Sequence, residues 1–144
     1  MTGGSYLTPA LEHASAGDAM RPRVLTCTAD TPLFVAAQRM SGEHVHALVV
    51  LRADSPSGDD GRPWTVLTDR DLLHHASEAS ILTSGEAASG PVVTARPGDR
   101  LVELAERMVR DHASHAVVVD PVDDRPIGIV STLDIAGIIA WGRG

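Results

Sequence analysis

The sequence predicts an α+β fold built from two tandem units, each with the element order β-α-β-β-α. Three observations support this prediction. An internal duplication spans most of the 144 residues, apolar residues recur at helical spacing in matching places of both copies, and each copy has an aliphatic run typical of a buried strand. Because a unit of under ~60 residues buries little surface alone, we expect the two units to pack together.

The duplication is visible when the chain is shifted by 68 positions, which lays 18–51 on 86–119 without a gap. Ten of these 34 pairs are identical, where chance gives roughly two or three. The identical pairs are Ala19/Ala87, Val24/Val92, Thr26/Thr94, Leu33/Leu101, Ala37/Ala105, Arg39/Arg107, Met40/Met108, His44/His112, Val49/Val117 and Val50/Val118. A second match, at a shift of 63, lays Thr65–Leu72 on Gly128–Ile135. The pattern predicts an N-terminal extension at 1–17, unit one at 18–80, a linker at 81–85 and unit two at 86–144.

Each repeat begins with a short extended segment, Val24–Thr28 or Val92–Arg96, followed by a helix. In repeat one Thr31 is the expected cap residue and Pro32 suits the first turn, while Asp99 holds the cap position in repeat two. An apolar stripe at i, i+3, i+4 and i+7 then predicts one buried helix face. Its members are Leu33, Ala36, Ala37 and Met40 in repeat one and Leu101, Leu104, Ala105 and Met108 in repeat two.

The second half of each repeat reads as two strands and a closing helix. The predicted strands are Ala47–Leu51 and Trp64–Thr68 in repeat one, and Ala116–Val119 and Ile127–Ser131 in repeat two. The closing helices are predicted from about Asp69 to Ala79 and from Leu133 to Trp141. The loop Arg52–Pro63, rich in Asp, Ser, Gly and Pro, is predicted to be an exposed hairpin connection. An extra helix is expected at Thr8–Ala16, and Thr83–Ala88 joins the repeats.

Composition narrows the classes of function. The formal charge is −7, from 12 Lys and Arg against 19 Asp and Glu, so a nucleic-acid partner is disfavoured. The single cysteine, Cys27, permits no intrachain disulfide and fits a reducing compartment. No apolar run approaches the ~20 residues that span a bilayer, and the first ten residues lack the pattern of a secretion signal. We therefore expect a cytoplasmic protein that contacts no membrane.

The tandem β-α-β-β-α order, with a third strand that leads into (Ser/Thr)-x-x-Asp-apolar, resembles the CBS domain family. Repeat one carries HVHALVV and TVLTDRDLL, and repeat two carries HASHAVVVD and PIGIVSTLDI. The resemblance covers residues 18–142. It implies a pair of units related by a pseudo-twofold axis, with sheets that pack together and leave two clefts. It also implies a regulatory module that binds an adenosine-containing ligand (AMP, ADP, ATP or S-adenosylmethionine) in a cleft and often forms a homodimer. No enzymatic activity, required cofactor or metal is expected.

The family pattern assigns the ribose to Asp71 and Asp134, and a phosphate contact to the hydroxyls of Thr68 and Ser131. A carboxylate accepts hydrogen bonds on two oxygens, which suits the two hydroxyls of a ribose. An N-terminal helix turn also offers unpaired N–H groups to an anion. The alternative is ordinary helix capping, for which Ser, Thr and Asp are common choices at these positions.

The remaining candidate ligand-binding residues are His46, His115, Thr26, Thr94 and Arg70. The resemblance implies that residues at the entrance to the middle strand reach the phosphates, where His46 and His115 stand in place of the family's frequent Arg. Thr26 and Thr94 are implied to lie near base and sugar, and Arg70 near phosphate. Each has a structural alternative: a histidine bonded to backbone, a β-branched strand residue, or a solvated arginine.

Two functional classes remain open after the metal and enzyme hypotheses are set aside. His44-x-His46 and His112-x-x-His115 lack a third ligand at a standard spacing, and Cys27 lacks a recognisable activating base. The first class is a ligand sensor that acts on a protein partner in trans. The second is a ligand-free structural or interaction module that dimerises and binds a protein. Retention of both Asp71 and Asp134 favours the first.

Overall fold

The computed structural model describes residues 10–52 and 62–142. Its helices are α1 (Ala16–Ala19), α2 (Leu33–Glu43), α3 (Asp69–His74), α4 (Ser84–Ala87), α5 (Leu101–Arg110) and α6 (Thr132–Trp141). Its strands are β1 (Thr26–Thr28), β2 (Ala47–Leu51), β3 (Trp64–Thr68), β4 (Val93–Ala95), β5 (His115–Val119) and β6 (Pro126–Ser131). Short 3-10 turns occupy Leu11–His13 and Ala76–Glu78. The predicted α+β class and the twofold repetition of β-α-β-β-α are confirmed.

The two sheets have the same topology and nearly the same register. β1 runs parallel to β2, and β2 runs antiparallel to β3; β4, β5 and β6 repeat this arrangement. Thr26 pairs with Val49, and Thr94 pairs with Val117, which is the same pairing after a shift of 68. The copies diverge where a β-bulge at Val118/Val119 interrupts the second sheet. Conserved pairing between the copies places the ends of β3 and β6 at equivalent positions.

The described chain folds into two compact units, each with its own core. The repeat-one unit contains Leu25–Gly90, and the repeat-two unit contains the residues up to Val24 together with those from Pro91 onward. Helix α2 or α5 covers each sheet with its apolar stripe, as the spacing predicts. The fully buried side chains include Leu33, Leu48, Val50 and Leu67 in one core and Leu101, Leu104, Val118 and Val130 in the other.

The short helices α1 and α4 are equivalent elements that each open one repeat and pack with the other. The backbone N–H groups of Ala16 and Gly17 donate to the carbonyls of Asp99 and Pro97 at 2.8 and 2.9 Å. After a shift of 68, Ser84 and Gly85 donate in the same way to Thr31 and Ala29, at 2.7 and 2.9 Å. The two repeats therefore exchange their first helical turns, a feature that the pattern of apolar residues does not reveal.

Several boundaries differ from the sequence prediction. The cap residues of α2 and α5 are Pro32 and Arg100, which make no side-chain cap bond, so the predicted Thr31 and Asp99 caps are wrong. The Thr31 hydroxyl lies 3.0 Å from that of Thr28 instead. The Asp99 carboxylate accepts the backbone N–H of Arg96 at 2.9 Å and so closes the turn before the helix.

The other differences lie at the ends of the repeats. The closing helix of repeat one breaks at His75 and continues as the 3-10 turn Ala76–Glu78. From residue 10 onward, the expected Thr8–Ala16 helix is a 3-10 turn, Leu11–His13, followed by α1, while residues 8 and 9 lie outside the described residues. In the predicted hairpin loop, the Arg52 N–H donates to the Pro63 carbonyl at 2.8 Å, while residues 53–61 lie outside the described residues.

Candidate functional site

The two predicted ribose acids occupy the same position, one at the β3–α3 junction and one at the β6–α6 junction. Each is the third helical residue of a capping box, in which hydroxyl and carboxylate satisfy one another's backbone N–H groups. Asp71 Oδ2 accepts the N–H and hydroxyl of Thr68 at 2.9 and 3.3 Å. Asp134 Oδ2 accepts the same two groups of Ser131 at 2.8 and 2.9 Å. The capping role weighed as the alternative is therefore present in both copies.

Capping uses only one oxygen of each carboxylate, and the environment of the other oxygen differs between the copies. Asp71 is 4% exposed, and its Oδ1 makes no hydrogen bond to the described residues. The chain passes close to this oxygen, since a Cβ added at Gly90 would lie 3.5 Å from it. Asp134 Oδ1 instead accepts the Nε–H of Arg21 at 3.0 Å. One carboxylate oxygen thus remains available in the repeat-one unit and is paired in the repeat-two unit.

Arg21 was not singled out by the sequence analysis. It lies near the start of repeat one, before β1, yet its backbone pairs with Ile129 of β6 through bonds of 2.8 and 3.1 Å. That pairing holds its side chain beside Asp134. The shift of 68 aligns Arg21 with Ser89, so the duplication offers no signal for an arginine at this place.

The two histidines at the middle strands have different surroundings. His46 is exposed, and its Nδ1 lies 2.9 Å from Asp69 Oδ2, while its carbonyl accepts the Asp69 N–H at 3.0 Å. In repeat two the equivalent backbone bond joins Thr132 to Ser114 at 3.1 Å, and His115 Nδ1 lies 2.9 Å from the Ser114 hydroxyl. Asp69 was also missed by the sequence analysis. The residue aligned with Asp69 is Thr132, so repeat two carries no carboxylate at the equivalent position.

The two predicted threonines lie on β1 and β4, at the same end of each sheet as the capped junctions. Arg39 donates to the carbonyl of Thr26, and Arg107 Nη1 donates to the carbonyl of Thr94 at 2.8 Å. These bonds tie α2 to β1 and α5 to β4, which gives the identical arginine pair a structural role. The Thr26 side chain is exposed and Thr94 is half-buried.

The last predicted residue, Arg70, is exposed in the first turn of α3. In the repeat-one unit the structure therefore places Thr26, His46, Thr68, Arg70 and Asp71 at one end of one sheet. In the repeat-two unit it does the same for Thr94, His115, Ser131 and Asp134. The grouping gives a hydrogen-bonding edge with carboxylate, hydroxyl and imidazole groups, suited to a polyhydroxylated ligand.

The two histidines that align between the repeats have a backbone role. His44 and His112 end helices α2 and α5 with φ of 57° in each case, in the left-handed region. Within residues 10–52 and 62–142, no three His, Cys, Asp or Glu side chains come together as a metal-binding group. In the same part of the chain, no helix is long and apolar enough to cross a membrane.

Cys27 lies on β1 and is buried. Burial raises the pKa of its thiol above the ordinary value, an effect partly offset by hydrogen bonds with Ser84 and Thr31 and by the charge of Arg39. A buried thiol with a raised pKa is a poor nucleophile. Its environment is that of a core residue, as its alignment with Ala95 predicts.

Comparison with known families decides the classification. The family model for the CBS domain matches residues 16–78 and again 85–140. The chain belongs to the CBS domain family. The two matches begin at or beside α1 and α4, so a CBS unit defined along the chain includes the helical turn that it exchanges. CBS pairs of this kind are generally regulatory modules.

Solved structures support the same CBS fold. The CBS domain pair of protein MJ0100, in complex with 5′-methylthioadenosine and S-adenosyl-L-methionine, aligns with a TM-score of 0.73 at 20% identity, over 88% of this chain and 96% of that one. A hexameric CBS-CP12 protein from bloom-forming cyanobacteria aligns with a TM-score of 0.73 at 19% identity, over 85% and 69%. Hypoxic Response Protein I, with two coordinated zinc ions, aligns at 0.63 and 28% identity, over 85% and 97%. Among curated proteins, none matches the chain significantly.

Proposed function

We propose that this CBS pair is a regulatory sensor that binds an adenosine-containing ligand through its capped acidic junctions. The observation that carries the proposal is that the two carboxylate oxygens of Asp71 have different hydrogen-bonding roles. Its Oδ2 caps α3, while Oδ1 makes no hydrogen bond to the described residues. A carboxylate oxygen that is not used by the cap can accept a further hydrogen bond, and a ribose hydroxyl supplies the donor.

The neighbouring groups extend this recognition. His46 and Arg70 are exposed beside Asp71 and offer hydrogen bonds or positive charge to a ligand phosphate. The adenosine derivatives bound by MJ0100 belong to the same chemical class. The proposed sensor acts in the cytoplasm on a protein partner in trans, without catalysis and without a required cofactor.

The first experiment is a thermal melt of the full chain with AMP, ADP, ATP, NAD, S-adenosylmethionine and a cyclic dinucleotide. A ligand at ~100 times its dissociation constant stabilises by about 2.7 kcal/mol, which raises the Tm by roughly 5–10 °C for a chain of this size. If no nucleotide moves the midpoint at millimolar concentration, ligand sensing is wrong.

The second experiment locates the site by calorimetry. Asp71→Asn keeps an oxygen for the cap and replaces the other oxygen with a donor, which cannot accept a ribose hydroxyl. Loss of a charged hydrogen bond corresponds to roughly 10- to 100-fold weaker binding at that site. Asp18→Asn is the matched control, because Asp18 forms the same kind of capping box with Ser15 but is not a proposed ligand-binding residue. Equal effects of the two substitutions would count against Asp71 as a ligand contact.

A second candidate function, homodimerisation as an interaction module, is favoured by a separate feature. An apolar groove of about 380 Å³ lies on α5 and α6 and includes Val102, Val109, Ile135 and Ile139. Val109 and Ile139 are exposed, and their counterparts in repeat one, Ser41 and Ala76, are small. We propose that a second copy covers this groove, because exposed apolar side chains clustered on one face mark association surfaces.

Light scattering tests the proposed dimer. Val109→Asp places a charge in the groove and should shift the protein towards monomer. Val122→Asp is the control, since Val122 is equally apolar and exposed but lies outside the groove. A monomeric unsubstituted protein, or a dimer indifferent to Val109→Asp, would exclude this interface.

A further inference from the structure

The two candidate acids of this CBS pair differ in charge environment. The side chain of Arg21 is 70% exposed, while that of Asp134 is 9% exposed. The arginine is therefore the outer partner of the pair, on the solvent side of the carboxylate. Asp134 Oδ1 already accepts the Nε–H of this arginine at 3.0 Å.

The residue aligned with Arg21 in the repeat-one unit carries no charge. It is Ser89, whose hydroxyl donates to the carbonyl of Ala87 at 3.3 Å. The next residue, Gly90, lies near Asp71 Oδ1, since a Cβ added there would be 3.5 Å from that oxygen. The repeat-one unit thus offers the ligand the Asp71 Oδ1 atom without a competing donor among the described residues. In the repeat-two unit the equivalent oxygen already accepts a hydrogen bond from Arg21.

We infer that Arg21 is an internal competitor for Asp134 that weakens ribose binding in the repeat-two unit and makes the two sites unequal. The inference rests on the proposed function, because it concerns the same carboxylates. A ribose hydroxyl and the Arg21 Nε–H donate to the same oxygen, so a ligand must displace or share that contact. Exposed ion pairs are modest in strength, so Arg21 reduces the affinity without abolishing binding.

The test isolates each site and exchanges the aligned residues. Asp71→Asn leaves only the Asp134 site functional, and Asp134→Asn leaves only the Asp71 site. In the first background Arg21→Ser removes the competitor; in the second, Ser89→Arg introduces one. Adenosine is the probe, since it has a ribose and no phosphate that a displaced arginine would hold.

Calorimetry of the full chain should show adenosine binding tightened by up to about fivefold by Arg21→Ser, and weakened to a similar extent by Ser89→Arg. Arg21→Lys keeps the positive charge and should resemble the unsubstituted background. High salt should narrow the difference between Arg21 and its serine variant, since salt screens exposed pairs. Melting curves without ligand verify that each variant folds.

The outcomes separate the inference from the proposed function. If adenosine binds the Asp71 site but Arg21→Ser leaves the Asp134 site unchanged or weaker, the inference is overturned and the sensor function stands. If neither adenosine nor AMP binds any variant at millimolar concentration, the proposed function falls and the inference falls with it. Tightening by Arg21→Ser in the Asp71→Asn background, together with unchanged binding in Arg21→Lys, confirms the competition.

Discussion

Met20 packs closely against Gly128. The aligned residues in the repeat-one unit have the opposite sizes, with a small residue in place of Met20 and a larger one in place of Gly128. A Cβ added at Gly128 would lie 2.4 Å from Met20 Sδ, 3.0 Å from Cγ and 3.1 Å from Cβ. The aligned residues in the repeat-one unit are Thr65 and Ala88, both buried. The alignment therefore matches a large side chain and a glycine in one unit with an alanine and a threonine in the other.

This exchange predicts the energetic effect of Gly128→Thr. The Sδ atom can swing aside, but the contacts with Cγ and Cβ require the whole Met20 side chain to move, so overpacking should cost about 2 kcal/mol. The Tm should fall by roughly 6 °C. Met20→Ala alone should also destabilise, by about 1–2 kcal/mol, because the half-buried side chain leaves unfilled space.

The double variant Met20→Ala with Gly128→Thr introduces the residue types found at the aligned positions, Ala88 and Thr65. We expect urea unfolding to give a coupling energy of about 1–3 kcal/mol in favour of the double variant. Gly128→Ser with Met20→Ala is a smaller version of the same cycle and should give a smaller coupling. If Gly128→Thr is neutral, or if the two single effects simply add, the packing account of this pair is wrong.

Three further predictions concern stability and thiol chemistry. Replacing His44 or His112 with glycine should stabilise the protein by about 0.5 kcal/mol in urea unfolding, because glycine adopts the observed φ of 57° without strain; an equal loss would refute this. Because burial raises the pKa of the Cys27 thiol, alkylation of this cysteine should be far slower in the folded chain than in the urea-unfolded chain. For the same reason, the free energy of unfolding should fall as pH rises from the ordinary thiol pKa towards the raised one. Fast labelling of the folded protein would contradict this prediction. Hydrogen bonds from the Thr83 backbone and hydroxyl lower the pKa of Glu86, so its stabilisation is present above the ordinary glutamate pKa and lost as pH falls through the lowered value. Glu86→Gln should reduce that acid dependence in pH-dependent melts, and an unchanged acid limb would refute the assignment.

The duplication accounts for most of the fold that could be predicted in advance. Strands β2 and β3 run over the residues that the aliphatic runs indicate, and the stripes of α2 and α5 face the two cores. Local periodicity determines these features because burial selects apolar side chains at the spacing of the element. Helix ends were less predictable: Thr31 and Asp99 are good cap residues by type, yet their side chains bond within the preceding turns.

For the candidate site, the sequence by itself determined that two Ser/Thr-x-x-Asp junctions recur at equivalent places, and their capping geometry follows from local hydrogen bonding alone. Only the tertiary structure decided which residues surround them. Arg21 reaches Asp134 because its backbone pairs with β6, more than 100 positions along the chain, and α1 and α4 are exchanged between repeats. Such contacts depend on how segments far apart in the sequence come together in space, and the local pattern of residues does not determine which of these segments meet.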